Sequence, residues 1–274
     1  MAERKPSRDN KFARKDRPRR WERGGRAPRA ERPRRDSDTV ILYGWHPVTL
    51  ALSNPKRRIR KLYATENAAR RLAEENITSK VTPEIVRPDA IAAQLPDDAV
   101  HQGLLAEADP LPTPDIATLA TDGIVLVLDQ ITDPHNVGAI LRSAAAFGVQ
   151  AIVTTQRHSP EATGVLAKSA SGALEYVPFV TVQNLARAMN ELKERGFHVV
   201  GLDSAGNEDL GRVELRVPLA LVLGAEGKGL RQLTRETCHV VARLDMPGQI
   251  KSLNVSNAAA LALYIGARKL GLLA

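Results

Sequence analysis

Residues 124–148 read IVLVLDQITDPHNVGAILRSAAAFG. The aliphatic run from Ile124 to Leu128 has no polar position, which fits a strand of a parallel sheet covered on both faces. Val137, Ile140, Leu141, Ala144 and Ala145 then recur at helical spacing, and Gly148 is placed to end that helix. The alternation continues downstream. Residues 151–154 read as a strand, and Ser159-Pro160-Glu161 reads as a helix start with Ser as N-cap and Pro at the first helical position. A helix is expected near 182–195, ended by Gly196, with strands at 197–202, 219–223 and 240–244 and a last helix over 255–270. Strand and helix in turn specify an α/β domain with a mainly parallel sheet.

Upstream, residues 38–108 read as a smaller α/β unit. It opens on Thr39-Val-Ile-Leu-Tyr-Gly and runs through helical stretches at 47–52, 68–75 and 88–95. An apolar run lies at 59–64 and a strand near 103–106. Asp109-Pro-Leu-Pro-Thr-Pro-Asp115 has three prolines in seven residues, so 109–116 is expected to be a stiff linker to a second domain, 117–274. No internal repeat is present.

Composition narrows the class. Of 274 residues, 43% are apolar but only 4% aromatic, so the core must be aliphatic. No run of 18 apolar residues exists, and the charged N-terminus lacks an apolar signal region. Cys238 is the single cysteine, which excludes an internal disulfide and a cysteine-rich metal site. A soluble cytoplasmic protein without metal is expected. Residues 1–38 hold 15 Lys and Arg against 7 Asp and Glu, whereas the rest is balanced at 24 each. The whole net charge of +8 therefore sits in this Arg-rich segment, whose first 37 residues are expected to be a disordered tail. Such a tail either merely solubilises or contacts RNA by counterion release, and its guanidinium forks favour the second.

Three segments carry chemistry, each following a strand, where ligands of open α/β sheets collect. In Asp133-Pro-His-Asn-Val-Gly-Ala-Ile-Leu-Arg142, Asn136 lies at the helix start, and Arg142 is expected to reach back over a groove left by Gly138. Alone, this is equally a cap plus a surface arginine. In Leu221-Val-Leu-Gly-Ala-Glu-Gly-Lys-Gly229 a buried strand opens into a glycine loop around Glu226, where close approach of a ligand to backbone is expected. The spacing fits neither the P-loop nor the dinucleotide fingerprint, so a nicotinamide enzyme is disfavoured. In Leu244-Asp-Met-Pro-Gly-Gln-Ile-Lys-Ser-Leu-Asn-Val-Ser-Asn257, the small polar residues Ser252, Asn254 and Ser256 exceed what one helix cap needs.

In this order the three segments resemble the SpoU (TrmH-like) family of RNA ribose 2′-O-methyltransferases, over residues 124–272. Tyr43-Gly-Trp-His-Pro-Val and His101-Gln-Gly103 are similar to that family's small substrate-binding domain, itself L30e-like. The bacterial 23S rRNA guanosine methyltransferases are the subgroup most resembled. The resemblance implies a SPOUT α/β knot, a deep trefoil, with S-adenosylmethionine held by backbone around Gly224, Leu244, Met246 and Leu253. It places the family's polar set on Asn136, Arg142, Glu226, Ser252 and Asn254. It implies a homodimer whose active site is completed across the interface, with Ala259, Ala260 and Tyr264 in the contact.

The implied reaction is in-line attack of the ribose 2′-oxygen on the sulfonium methyl, with no metal needed. By family analogy Arg142 is the base, helped by an RNA phosphate. Arginine stays protonated, however, so holding that phosphate and stabilising developing charge is its other role. Imidazole is a conventional general base, but His135 is more readily read as a plain loop residue. Glu226 is expected to fix Arg142 or Asn136. Two competing readings remain: tRNA as substrate, and a non-catalytic RNA-binding assembly factor.

Overall fold

The computed structural model describes residues 39–156, 166, 169–250 and 252–273. The basic N-terminal segment and the helix start at 159–161 lie outside them. No helix among the described residues is long and apolar enough to cross a membrane.

The first sheet has four strands in the order β1-β4-β2-β3. These are β1 (Val40–Tyr43), β2 (Ile59–Ala64), β3 (Glu84–Ile85) and β4 (Leu104–Ala108), interleaved with helices α1 (Trp45–Ser53), α2 (Glu66–Glu74) and α3 (Pro88–Ala92). The two motifs singled out here close on each other. Gln102, itself at φ 52°, accepts the Trp45 N–H on its side-chain oxygen at 2.9 Å, which caps α1 where Gly44 has no side chain to do so.

The second sheet has seven strands in the order β7-β6-β5-β10-β8-β11-β9, and every neighbouring pair is parallel. They are β5 (Ile124–Asp129), β6 (Ala151–Thr155), β7 (Phe179–Val182), β8 (His198–Leu202), β9 (Glu208–Asp209), β10 (Leu219–Gly224) and β11 (Val240–Arg243). Among the described residues four helices flank it: α4 (Pro134–Ala146), α5 (Leu185–Glu194), α6 (Gln232–Thr237) and α7 (Val255–Lys269). The unbroken apolar run of β5 has a direct cause. Ile124, Leu126 and Leu128 share one core cluster with Val137, Ile140 and Leu141 of α4 and Val255, Ala259 and Leu263 of α7. Val125 and Val127 share the other with Leu185, Ala188, Met189 and Leu192 of α5. Alternate side chains thus enter opposite cores, each worth ~1.5–3 kcal/mol when fully buried.

Gly148 ends α4 at φ 63° and Gly196 follows α5 at φ 88°, both left-handed as the sequence predicts. The expected helix over 182–195 needs correction. Val182 belongs to β7, and α5 starts only at Leu185, where the Asn184 side chain accepts the Arg187 N–H at 3.0 Å.

The two sheets are joined through residues 169–175. Gly172 sits at φ 84°, and a Cβ there would run into Leu50 of α1. Beside it, the Glu175 carboxylate accepts from Arg57 Nη2 at 2.6 Å, from Arg57 Nε at 3.1 Å and from Asn54 Nδ2 at 2.7 Å. This ion pair is almost wholly dry, with side chains 3% and 4% exposed. Arg57 Nη1 also donates to the Asp109 carbonyl at 2.8 Å, where the first sheet leads into the proline segment.

Candidate active site

The parallel pairing of β5, β10, β8 and β11 brings their C-terminal ends to one edge. The three sequence segments leave from that edge. Between the second and the third lies a cavity of about 450 Å³, walled by Leu202–Ser204, the loop 224–229, and Leu244, Met246, Ser252, Leu253, Val255 and Ala258. Gly224, Glu226, Leu244, Met246, Ser252 and Leu253 therefore meet in one place.

The glycine loop has a different logic from the one expected. A Cβ on Gly224 would overlap the backbone of Gly229 and Leu230, and one on Gly229 would overlap Asp203. The Gly229 N–H donates to the Ala225 carbonyl at 2.9 Å, closing the loop on itself. Two of the three glycines thus permit chain to approach chain. Gly227, at φ 74° with open space around it, is at the tip.

Two buried carboxylates anchor this loop, and sequence reading missed both. Asp129, at the end of β5, accepts from Arg231 N–H at 3.1 Å and Arg231 Nε at 2.7 Å. Asp203, just after β8, accepts from Leu230 N–H at 3.0 Å, Ala205 N–H at 2.9 Å and Arg235 Nη2 at 2.8 Å. An acid directly after an apolar strand, as in Leu128-Asp129 and Leu202-Asp203, was the available signal. Cys238 lies just beyond α6. Burial pushes its thiol up to about 12, so it is no nucleophile at neutral pH.

A second junction forms at the helix starts. Asp133 caps α4, accepting from His135 and Asn136 N–H at 3.1 and 3.3 Å. Asn254 caps α7, its Oδ1 accepting the Ser256 N–H at 2.9 Å and the Ser256 hydroxyl at 2.6 Å. Its Nδ2 donates to Asn136 Oδ1 at 2.9 Å, so Asn136 and Asn254 are joined as a pair. The apparent surplus of small polar residues is thus partly a helix–helix clasp.

Arg142 stands apart. It is exposed on α4, does not line the cavity, and has no polar partner among the described residues. The groove expected over Gly138 is absent, because a Cβ there would overlap Ser169 and the Ala170 N–H. Gly138 is small to admit that backbone, not a ligand. His135, on the same face of α4, meets the Ser169 hydroxyl through Nδ1 at 3.3 Å. The expected bond from Glu226 to Arg142 or Asn136 is not made among the described residues, and Glu226 faces the cavity instead.

The chain as a whole resembles known proteins. The SpoU rRNA Methylase family matches residues 123–264. The chain belongs to this family. A second family, RNA 2′-O ribose methyltransferase substrate binding, matches 41–114 of this SpoU protein. It is 38% identical to the 23S rRNA (guanosine-2′-O-)-methyltransferase RlmB of Ralstonia nicotianae, across 85% of this chain and 97% of that one. The RlmB of Pseudomonas aeruginosa is 37% identical over 81% and 94% of the two chains. The SpoU methyltransferase AviRb from Streptomyces viridochromogenes, solved in complex with the cofactor AdoMet, shares the fold. Its TM-score is 0.73 at 24% identity, covering 85% of this chain and 90% of that one.

Proposed function

We propose that this SpoU protein transfers a methyl group from S-adenosylmethionine to a ribose 2′-hydroxyl of a guanosine in 23S rRNA, the reaction for which its RlmB relatives are named. The observation that carries the reading is the edge cavity, built from the glycine loop and the 244–254 segment beside the clasped start of α4.

The residues present fit the methyl donor. At about 450 Å³ the cavity falls in the roughly 300–1,000 Å³ range of small-molecule sites. Leu244, Met246, Leu253 and Val255 suit an adenine face, loop backbone around Gly224 suits its polar rim, and Glu226 offers an anion to a cationic ligand. The bound donor supplies an activated methyl, so no metal is called for. Ser252 and the Asn136–Asn254 clasp hold the entrance in register with α4. Arg142 remains a cation, so it grips an RNA phosphate and stabilises negative charge growing on the 2′-oxygen. His135, with Nδ1 on Ser169, keeps Nε2 for the departing proton.

Arg142 lies outside the cavity of its own protomer, which favours a homodimer completing each site with the partner's copy. Exposed Leu261 and Tyr264 on α7 supply apolar surface for the contact. On the same reading 38–108 presents the RNA, 109–116 links it to the methyltransferase domain 117–274, and the C-terminal segment is threaded as a deep trefoil knot in a cytoplasmic enzyme.

The test is methylation of protein-free 23S rRNA with labelled donor, followed by mapping of the modified ribose. Modification of tRNA alone overturns the rRNA assignment, and absence of donor binding by calorimetry turns the reading to an assembly factor. Arg142→Ala should leave donor affinity within a few-fold and lower the single-turnover rate by roughly 10²-fold or more. His135→Ala is the contrast: loss of the acidic limb of the pH–rate profile gives the proton to His135, and an unchanged profile leaves it with Arg142 and its phosphate. A monomeric mass by light scattering with full activity refutes the shared site.

A further inference from the structure

On the sheet face opposite α4 and α7 lies a second hollow, of about 270 Å³, lined among others by Thr155, Asn184, Leu185, Ala186, Arg231 and Thr234. It sits at the C-terminal ends of β6 and β7. Thr155 is 6% exposed, and its hydroxyl has no partner among the described residues. Side-chain alternation places it on the face of Val153, toward α5. A buried hydroxyl without a partner costs ~1–3 kcal/mol, where an isosteric valine would cost nothing.

The groups around that hydroxyl are donors. The ten-residue helix α5 begins here, and Asn184 caps only the Arg187 N–H. The N–H groups of Leu185 and Ala186, in the first turn, have no intrahelical acceptor and carry the positive end of the helix dipole. Arg231 is spoken for on Nε by Asp129, and its 45%-exposed side chain leaves both terminal nitrogens free of partners among the described residues. Asp129 already balances the arginine charge. Attraction therefore rests on converging hydrogen-bond donors and the helix end, a set that suits a tetrahedral oxyanion and repels a cation. The position is telling. Arg231 directly continues the glycine loop, and Thr155 is two strand spacings, ~10 Å, from Gly224.

We propose that this hollow is a phosphate-binding subsite that holds a backbone phosphate of the RNA neighbouring the methylated nucleotide. The inference rests on the RNA-methyltransferase reading above.

The test uses the full-length protein and two substitutions that spare the fold. Thr155→Val keeps shape and removes the hydroxyl. Asn184→Asp caps α5 equally well but sets a negative charge where the phosphate would lie. Both should raise KM for 23S rRNA about tenfold, Thr155→Val by losing one hydrogen bond to a charged group and Asn184→Asp by repelling the phosphate, with kcat and donor affinity unchanged. For Asn184→Asp the slope of log affinity against log salt should fall by about 0.7–0.9, one phosphate's worth. Inorganic phosphate should compete with RNA for the wild type more strongly than for either variant. If phosphate protects the wild type against heat while both variants keep the wild-type KM for RNA, the subsite serves free phosphate and the RNA assignment fails. Wild-type KM and salt slope in the variants, without any phosphate effect, leave Thr155 no ligand and overturn the proposal outright. A wild type that methylates no RNA instead sinks the broader reading, an outcome separable from both.

Discussion

Replacing Glu175 by alanine should be among the most damaging single changes outside the edge cavity. The carboxylate is 4% exposed and takes hydrogen bonds from Arg57 Nε and Nη2 and from Asn54 Nδ2. After Glu175→Ala the Arg57 guanidinium, 3% exposed, retains among the described residues only its bond to the Asp109 carbonyl. Breaking a buried pair on one side costs about 3–5 kcal/mol, because the surviving charge is neither solvated nor paired. With an m-value of roughly 2–3 kcal/mol/M, the urea midpoint should fall by about 1–2.5 M. Arg57→Met combined with Glu175→Leu removes both charges at similar volume. It should recover part of that loss, short by the ~1–3 kcal/mol of leaving the Asp109 carbonyl without its arginine donor. Urea unfolding followed by tryptophan fluorescence is a suitable assay, since Trp45 lies in the same core cluster as this junction. A loss under 1 kcal/mol for Glu175→Ala would refute the reasoning, as would a double variant weaker than the single.

Asn254→Ala removes the cap of α7 and the clasp to Asn136 together, so it should cost ~1–2 kcal/mol in thermal unfolding, while Asn254→Ser should restore the cap but not the clasp. His198 and His239, whose rings lie 5.6 Å apart, both titrate below the usual histidine range, each chiefly by desolvation, with His239 and Arg216 adding for His198 and Lys193 and Arg216 for His239. Their folded pKa values lie below the unfolded ones, so the unfolded chain binds more protons as pH falls through about 6.5, and the melting temperature should drop from pH 7 towards 5. His239→Asn should flatten that slope, and an equally steep slope in the variant would remove the pair as its source.

Much of the fold could be read locally, and the reasons are physical. The strand β5 and helix α4 announce themselves because both periodicities are written in the chain, and Gly148 and Gly196 because only their backbone turns left-handed without strain. The six-residue α6 and two-residue β9 are too short to develop any period, and the four-residue β7 escapes for the same reason, its last residue Val182 also suiting the helix that follows. At the site, proximity was legible where several segments leave one sheet edge. What escaped was the approach of one stretch of backbone to another. That Gly138 makes room for Ser169, and Gly224 for Gly229, depends on chain 31 and 5 residues away. Nothing in the local pattern distinguishes a glycine that admits a ligand from one that admits backbone.

The segment 169–175 limits how freely the two halves can be recombined. At one end it presents Gly172 and Glu175 to α1 and Arg57, and at the other Ser169 roofs Gly138 and meets His135 on α4. A chimera that exchanges residues 41–114 for those of a relative would keep its own core yet meet a foreign counterpart at Leu50, Asn54 and Arg57. Its transplantable unit is therefore discontinuous: the grafted segment together with positions 172 and 175, some sixty residues beyond its end.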